Sequence, residues 1–515
     1  MHDLLREPVF PVEGILEPAL SLAGILATLS AGREITFNGL AAHQRQAWFC
    51  FLVQLGALAL SNAERNELPE DEAGWRDLIS ALAGDDADTA FTLVTEDTSR
   101  PAFLQPPIRS EGAWDKFRGP VTEPDSLDIL ILAKNHDLKM QRGASAAPHH
   151  WAYALLNLQT LQGFLGRGNY GIARMNGGFS SRVFIDRVNG PGWAARFRRD
   201  LSMLIEKRTG LLQRYAPYYQ ECGGLGLVWL EAWDEESPIT LDHLDPYFIE
   251  ICRRIRLVTK DGGIGAMTRP SESARIEAAE AKGVLGDPWA PLDTRKGTAI
   301  TVGASGFDYR RIVQILTDTA GLPPSLRVSD DDPDSELDLQ FSVLVRGQGR
   351  TDGLHERIVP VSRSIADRLD DPDFNERLKY LSAQMLDDVG KFAVSALRTG
   401  LRAYLQGAPE NIDYTDERVQ PFVQAFDRDM DNAFLDQLWR RVMAEDEEAA
   451  HAAWQSWLAR SATNRFEEGI DGLPAPAERR ERARVAAASI FHAMLRKNLP
   501  KAFEVQSTQE EDSAA

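Results

Sequence analysis

The chain has 515 residues, a formal charge of −20 at pH 7, 43% hydrophobic residues and 26% charged ones. That composition excludes a fibrous or disordered chain, and the length exceeds what one hydrophobic core commonly supports, so two domains are expected. The acidic balance excludes a protein that coats DNA unaided, because non-specific affinity comes from lysines and arginines that release counterions.

Taken in chain order, residues 40–63, dense in apolar side chains with Trp48, Phe49 and Phe51, predict a buried helix. Residues 70–83 place Trp75, Leu78, Ile79 and Leu82 at amphipathic spacing. Residues 90–94 read as a short strand or a helix end, and the proline-rich stretch 101–107 as an ordered connection. The apolar run 127–132 leads into a polar segment, 134–147, without periodicity, which is expected to be a mobile loop. A helix over 148–165 follows, with Trp151, Leu155 and Leu158 on successive turns and Gly163 near its end. Residues 191–207 read as helix, whereas 224–233 and 300–302 read as short strands. Beyond about residue 362 helical spacing dominates: Met385, Val389, Phe392, Ala396 and Leu397 form one stripe, and Phe426, Met430, Phe434, Leu438 and Trp439 another. Further helices are expected around Trp454 and Trp457 and over 476–495, and four antiparallel helices bury such stripes economically.

The expected fold class is therefore α+β: a large mixed α/β N-terminal domain over 1–361, then a C-terminal four-helix bundle over 362–505. Residues 506–515 are expected to be an acidic, disordered tail. No apolar run approaches the roughly 20 residues a bilayer requires, and residues 1–7 lack a basic segment followed by an apolar one, so a cytoplasmic location is expected. Cys50, Cys222 and Cys252 lie far apart without a CxxC, which supports neither a disulfide framework nor a cysteine zinc site. Acidic segments at 64–72, 330–334, 445–448 and 510–512 stand apart from the basic runs 196–199 and 253–256. Each basic run by itself reads as a solvated helix face or a set of ion-pair partners.

Catalytic signatures are absent: there is no GxxxxGK[ST], HExxH or GxSxG. His149 and His150 are adjacent at a helix start and are not expected to face one another. Asp387 and Asp388 read as a solvated helix face, and His355, Glu356 and Arg357 as an ion-paired junction. The reading is non-enzymatic, with no catalytic residue, no metal and no cofactor.

Two glycine-rich stretches stand out. Residues 163–171 read Gly-Phe-Leu-Gly-Arg-Gly-Asn-Tyr-Gly and continue to Asn176-Gly177-Gly178-Phe179. Residues 346–353 read Arg-Gly-Gln-Gly-Arg-Thr-Asp-Gly and run into His355-Glu356-Arg357. Glycine lets a backbone turn tightly and approach a partner closely, and the polar side chains between suit base edges and phosphates, so the second stretch reads as a presentation loop. With the segment Pro101 to Pro106 and the run Ala133-Lys134-Asn135-His136, these stretches occur in the order seen in CasA, the large subunit of type I-E CRISPR Cascade. The chain resembles that family over roughly its first 360 residues, and the helical remainder is similar in pattern.

The resemblance implies a mixed N-terminal domain followed by a four-helix bundle. It implies a subunit that recognises the protospacer-adjacent motif, or PAM, of double-stranded DNA from the minor groove, within a guide-RNA complex whose base pairing reads the remaining sequence. Implied partners are other Cascade subunits, the CRISPR guide RNA, target DNA and a helicase-nuclease, with no membrane. The family's glycine loop falls on Gly168, Asn169, Tyr170 and Gly171, and its minor-groove lysine on Lys282, with Lys296 as the alternative. Its wedge falls on Gln348 to Asp352. Gap-free matching puts Arg350 and Thr351 where the family usually carries an amide, and a shifted loop would put Gln348 there. Lys134 and Asn135 match the positions that dock near the guide RNA's 5′ handle. The zinc-binding cysteine cluster of some relatives has no counterpart. Two other readings remain: a phosphoester hydrolase built on His355-Glu356-Arg357, and a scaffold that does not touch DNA.

Overall fold

The computed structural model describes the chain except for residues 1, 111, 129–145, 179, 189–191, 234–237, 261, 328–336, 348–349, 476 and 504–515. It divides into two units, Met1–Phe307 with Ala320–Arg363, and Asp308–Thr319 with Ser364–Ala515. Mixed helix and sheet precede a helical C-terminal region, the fold class expected from the sequence.

In the first unit the principal helices are α1 (Leu22–Ser30), α2 (Arg45–Asn62), α3 (Glu72–Ala83), α4 (Pro148–Leu161) and α5 (Trp193–Arg214). Every residue of α2 from Gln46 to Leu60 is buried. A helix apolar on all sides has to sit in the middle of a core, and α2 is flanked by α3, α4 and α5. Trp48 is ringed by Phe10, Phe37, Phe51 and Tyr153, with ring centroids 4.9, 5.7, 5.7 and 5.0 Å away. The main strands are β1 (Gly119–Val121), β2 (Phe184–Val188), β3 (Arg254–Lys260), β4 (Gly263–Arg269), β5 (Leu337–Gly347) and β6 (Arg350–Val361). They form two antiparallel three-stranded sheets, ordered β1-β4-β3 and β6-β5-β2.

Apart from Gln348 and Gly349, which lie outside the described residues, the stretch 346–353 is strand rather than free loop: it ends the long β5–β6 hairpin, in which Gly347 pairs with Arg350 and Arg346 with Thr351, and the register shifts between Val345 and Arg346. The physical reason lies just upstream: Leu337, Leu339, Phe341, Val343 and Val345 alternate and are all buried, and this period of two carries the ladder into the polar stretch. Residues 90–94 form turns around a single bridge between Thr92 and Asp3, and the strand expected at 300–302 ends earlier, at Thr298–Ala299.

In the second unit, α6 (Tyr309–Leu316) joins α7 (Pro372–Asp387), which continues through a π-helical turn, Asp388–Ala393, into α8 (Val394–Leu405). The remaining long helices are α9 (Gln420–Met443), α10 (Glu447–Gly472) and α11 (Arg480–Asn498). Phe466 of α10 and Phe491 of α11 stack with centroids 4.3 Å apart and planes within 2°. Asp388, expected on a solvated face, is buried: the π turn rotates it inward, where it accepts a hydrogen bond from Trp454 Nε1 at 2.9 Å. Asp387 alone faces solvent, paired with Lys391 at 2.6 Å. Among the described residues, no helix is long and apolar enough to cross a membrane.

Candidate functional site

The glycine stretch after α4 is a clamped loop. Its ends are held by Arg253, whose guanidinium donates to the carbonyl of Gly163 at 3.1 Å and to that of Tyr170. Gln159 Oε1 in turn accepts from the backbone N–H groups of Cys252 and Arg253 at 2.9 and 2.8 Å, and Glu250 accepts from Ala173 N at 2.7 Å. On the other side, Ser271 N donates to Gly168 O at 3.1 Å and the Tyr170 hydroxyl to Glu272 O at 2.9 Å. Gly168 has φ +88°, and a Cβ there would stand 2.9 Å from Pro270 Cβ. At Gly171 a Cβ would lie 2.6 Å from Phe164 N and 2.7 Å from Gly163 C. The glycines therefore serve the tight folding of the loop on itself and on its neighbours, and the groups it exposes to solvent are Asn169 and Arg167.

Tyr170 and Gly171 share a cavity of about 530 Å³ with Asn176, Gly177, Glu277 and Lys282. Phe164, Ile172 and Met175 supply an apolar part of its wall. Lys282 follows a short 3₁₀ turn in left-handed geometry, φ +48°, and its side chain is exposed without an ion-pair partner among the described residues. Lys296, the alternative position, is paired with Asp293 at 3.1 Å and does not line this cavity. The structure thus brings Tyr170, Gly171 and Lys282 together, with Gly168 and Asn169 in the same loop. Glu277 was not singled out from sequence; Asn176 entered only as the continuation of the glycine stretch and Arg253 only within the basic run 253–256, neither as a site residue.

Of the residues expected at the wedge, Arg350, Thr351 and Asp352 stand on β6, and β5 and β6 are joined through Gln348 and Gly349, which lie outside the described residues. Arg346 is not available to a ligand. It is buried, burial lowers its pKa to about 10, and it donates to the carbonyl of Asp128. The docking positions Lys134 and Asn135 also lie outside the described residues, which resume at residue 146.

The expected basic runs are mostly interior. Arg199 sits 3.4 Å from Asp186 and 2.8 Å from Asp200, and Arg256 donates to the carbonyls of Asp97 and Arg100 at 3.2 and 2.8 Å. These are structural partners rather than a DNA-facing surface.

Strand alternation separates the proposed acid-base group: on β6, His355 and Arg357 share one face and Glu356 takes the other. Arg357 donates to Phe307 O at 2.9 Å. His149 and His150, contrary to expectation, do face each other, with ring centroids 4.1 Å apart. His150 Nδ1 accepts from Ala147 N at 3.1 Å, turning it back over the helix start. Burial lowers both pKa values, that of His149 to about 4. No group of three or more His, Cys, Asp or Glu is arranged to hold a metal among the described residues.

By sequence, neither a protein-family model nor a curated protein matches the chain. By structure it is similar to CasA of Thermus thermophilus, with a TM-score of 0.62 and 16% identity over 96% of this chain and 99% of that one. It is also similar to Cse1 of Acidimicrobium ferrooxidans (TM-score 0.59, 15% identity, 97% and 98% covered). Cse1 of Thermobifida fusca gives a TM-score of 0.58 at 14% identity, with 97% and 98% covered. The chain has the CasA (Cse1) fold over nearly its whole length.

Proposed function

We propose that this chain is the large, CasA-type subunit of a type I-E Cascade surveillance complex and reads the PAM of double-stranded DNA from the minor groove. The observation that carries the reading is the meeting of the glycine loop with Lys282 in one cavity, on a fold shared with CasA proteins. Minor-groove edges present mainly acceptors, N3 of adenine and O2 of thymine, and an ammonium without an ion-pair partner together with exposed amides offers the matching donors. The narrow groove suits a loop whose backbone is folded tightly by glycine.

In this reading the β5–β6 hairpin is the wedge. Gln348, between the two strands, followed by Arg350, Thr351 and Asp352 on the first rungs of β6, would enter beneath the motif and part the first base pairs. Unstacking costs a few kcal/mol per base step, so the identity of these side chains sets the opening rate. Lys134 and Asn135 would dock against the guide RNA's 5′ handle, other Cascade subunits would supply the remaining affinity, and a helicase-nuclease would act in trans after opening. The net charge of −20 fits a subunit that borrows its DNA affinity from a larger assembly.

The test is target-duplex binding and strand opening by the reconstituted guide-RNA complex across a randomised PAM library. The complex would be assayed with the subunit, without it, and with Gln348, Arg350 and Thr351 replaced by alanine. Loss of motif-dependent binding without the subunit, and slowed opening with the triple variant, are expected. Unchanged PAM selectivity in the absence of the subunit would remove the reading.

A further inference from the structure

Beside the glycine loop, on the β1-β4-β3 sheet, lies a surface that the PAM reading does not use. Pro270 packs against Gly168 and Ser271 bonds its carbonyl, so the end of β4 at Arg269 is fixed next to the loop. Arg118 enters β1 directly opposite, its N–H donating to Thr268 O at 3.2 Å. Just before it, the rings of Trp114 and Phe117 stack with centroids 5.4 Å apart and planes within 22°. Arg269 lies over the other aromatic partner, 5.8 Å from the Phe117 centroid.

Three further features set this surface apart from the acidic remainder. Trp114 is 36% exposed although it is a large aromatic residue, and Phe117 beneath it is buried, so the indole is supported from below and open above. Among the described residues, Lys116, Arg118, Arg167 and Arg269 outnumber the neighbouring carboxylates Asp115 and Glu272 in a chain of net charge −20. Arg118 and Arg167 are exposed, with no ion-pair partner among the described residues, and Arg167 projects from the glycine loop itself. Cations interleaved with a supported aromatic face are what single-stranded or partly opened nucleic acid needs, phosphates for the cations and a π-face for a base.

We infer that this surface, Trp114 with Arg118, Arg167 and Arg269, carries the nucleic-acid strand that leaves the glycine-loop cavity, holding its phosphates and stacking one unpaired base on Trp114. The inference rests on the PAM reading for the position of the DNA, but its chemistry is separate: it is indifferent to sequence and sensitive to salt. Phosphate contacts shift log K against log salt by roughly 0.7–0.9 per phosphate neutralised, whereas base contacts change preference among sequences.

The experiment uses the intact guide-RNA complex and target duplexes across the PAM library, titrated at several salt concentrations. Four variants are compared: Arg118→Ala with Arg167→Ala, Trp114→Ala, Trp114→Phe, and Lys282→Ala. The double arginine variant is expected to reduce the salt slope by about 1–2 and to weaken all motifs equally. Trp114→Ala is expected to weaken targets carrying an unpaired flank roughly tenfold relative to fully paired ones, with recovery in Trp114→Phe. An unchanged slope in the double variant, while Lys282→Ala alters motif preference, overturns the inference and leaves the PAM reading standing. The reverse pattern, a reduced slope with Lys282→Ala silent, keeps this surface and removes Lys282 as the motif-reading residue. Loss of complex assembly with an unchanged DNA slope marks a protein contact and overturns the inference as well.

Discussion

Arg346, at the far end of β5, donates a hydrogen bond to the backbone carbonyl of Asp128, the last described residue before the segment 129–145. The same carbonyl accepts from Gln162 at the head of the glycine loop, at 3.1 Å. The Asp128 carboxylate, 0% exposed, lies 2.8 Å from His43 Nε2 and accepts from Gln44 and Asn157 at 2.9 and 3.1 Å. Hairpin, glycine loop and the short helical turn that ends at Asp128 thus share one anchor.

Asp128→Ala leaves the Gln44 and Asn157 donors and the His43 ring without their acceptor inside the protein. Each orphaned buried group costs about 1–3 kcal/mol, so the urea midpoint is expected to fall by the equivalent of at least about 2 kcal/mol. Asp128→Asn, which keeps an acceptor, is expected to cost less. Equal midpoints for Asp128→Ala and the parent would show that the anchor contributes nothing.

Lys282 and Lys296 are separated by their partners. Lys282 lines the cavity without an ion pair among the described residues, whereas Lys296 is spent on Asp293. Lys282→Ala is expected to weaken motif-containing DNA by about 1–3 kcal/mol within the assembled complex, and Lys296→Ala to remain near the parent. Competition binding with matched and scrambled motifs decides it.

Gly171→Ala drives a methyl group into the backbone of Phe164 and Gly163. The loop has to open, at a cost of about 1–3 kcal/mol, and motif binding is expected to fall with it. Gly210→Ala, inside α5 with open space around it, is expected to add about 0.5–1 kcal/mol. Opposite shifts in the unfolding midpoints of the two variants are the sign to look for.

Asp388 and His451 give opposite pH dependences. Burial raises the Asp388 pKa to about 6, against the weaker pull of the Trp454 hydrogen bond and Arg441. Its stabilising protonated state is complete below about pH 4 and is lost as pH rises through about 6, worth up to about 3 kcal/mol. Burial, with Arg441 and Lys501 nearby and Glu447 and Glu448 opposing them, lowers the His451 pKa to about 4. The stability tied to its neutral ring is present above about pH 6.5 and is lost as pH falls through about 4. The two slopes overlap and offset one another in the parent. Asp388→Asn is expected to leave stability rising with pH between 4 and 6.5, and His451→Gln to leave it falling between 4 and 6. Urea unfolding across that range would detect both, and parallel slopes in the two variants would exclude this account.

The sequence by itself determined the broad plan of this protein. Helix α2 is legible because its apolar residues have no polar face, and the C-terminal stripes because residues three and four apart must share a buried side. The order of glycine motifs pointed to the CasA fold, which local order can do because tight turns and close backbone approaches demand glycine at particular positions. Tertiary structure alone decided which polar residues are free. Arg199, Arg256 and Arg346 look like surface cations in the sequence, yet the core absorbs them, and Asp388 is turned inward by one extra residue in a helical turn. It also decided that Lys282 meets Tyr170 and that Arg118 and Gly168 flank the same end of β4. Such neighbours are set by the packing of distant segments, for which short-range periodicity carries no signal.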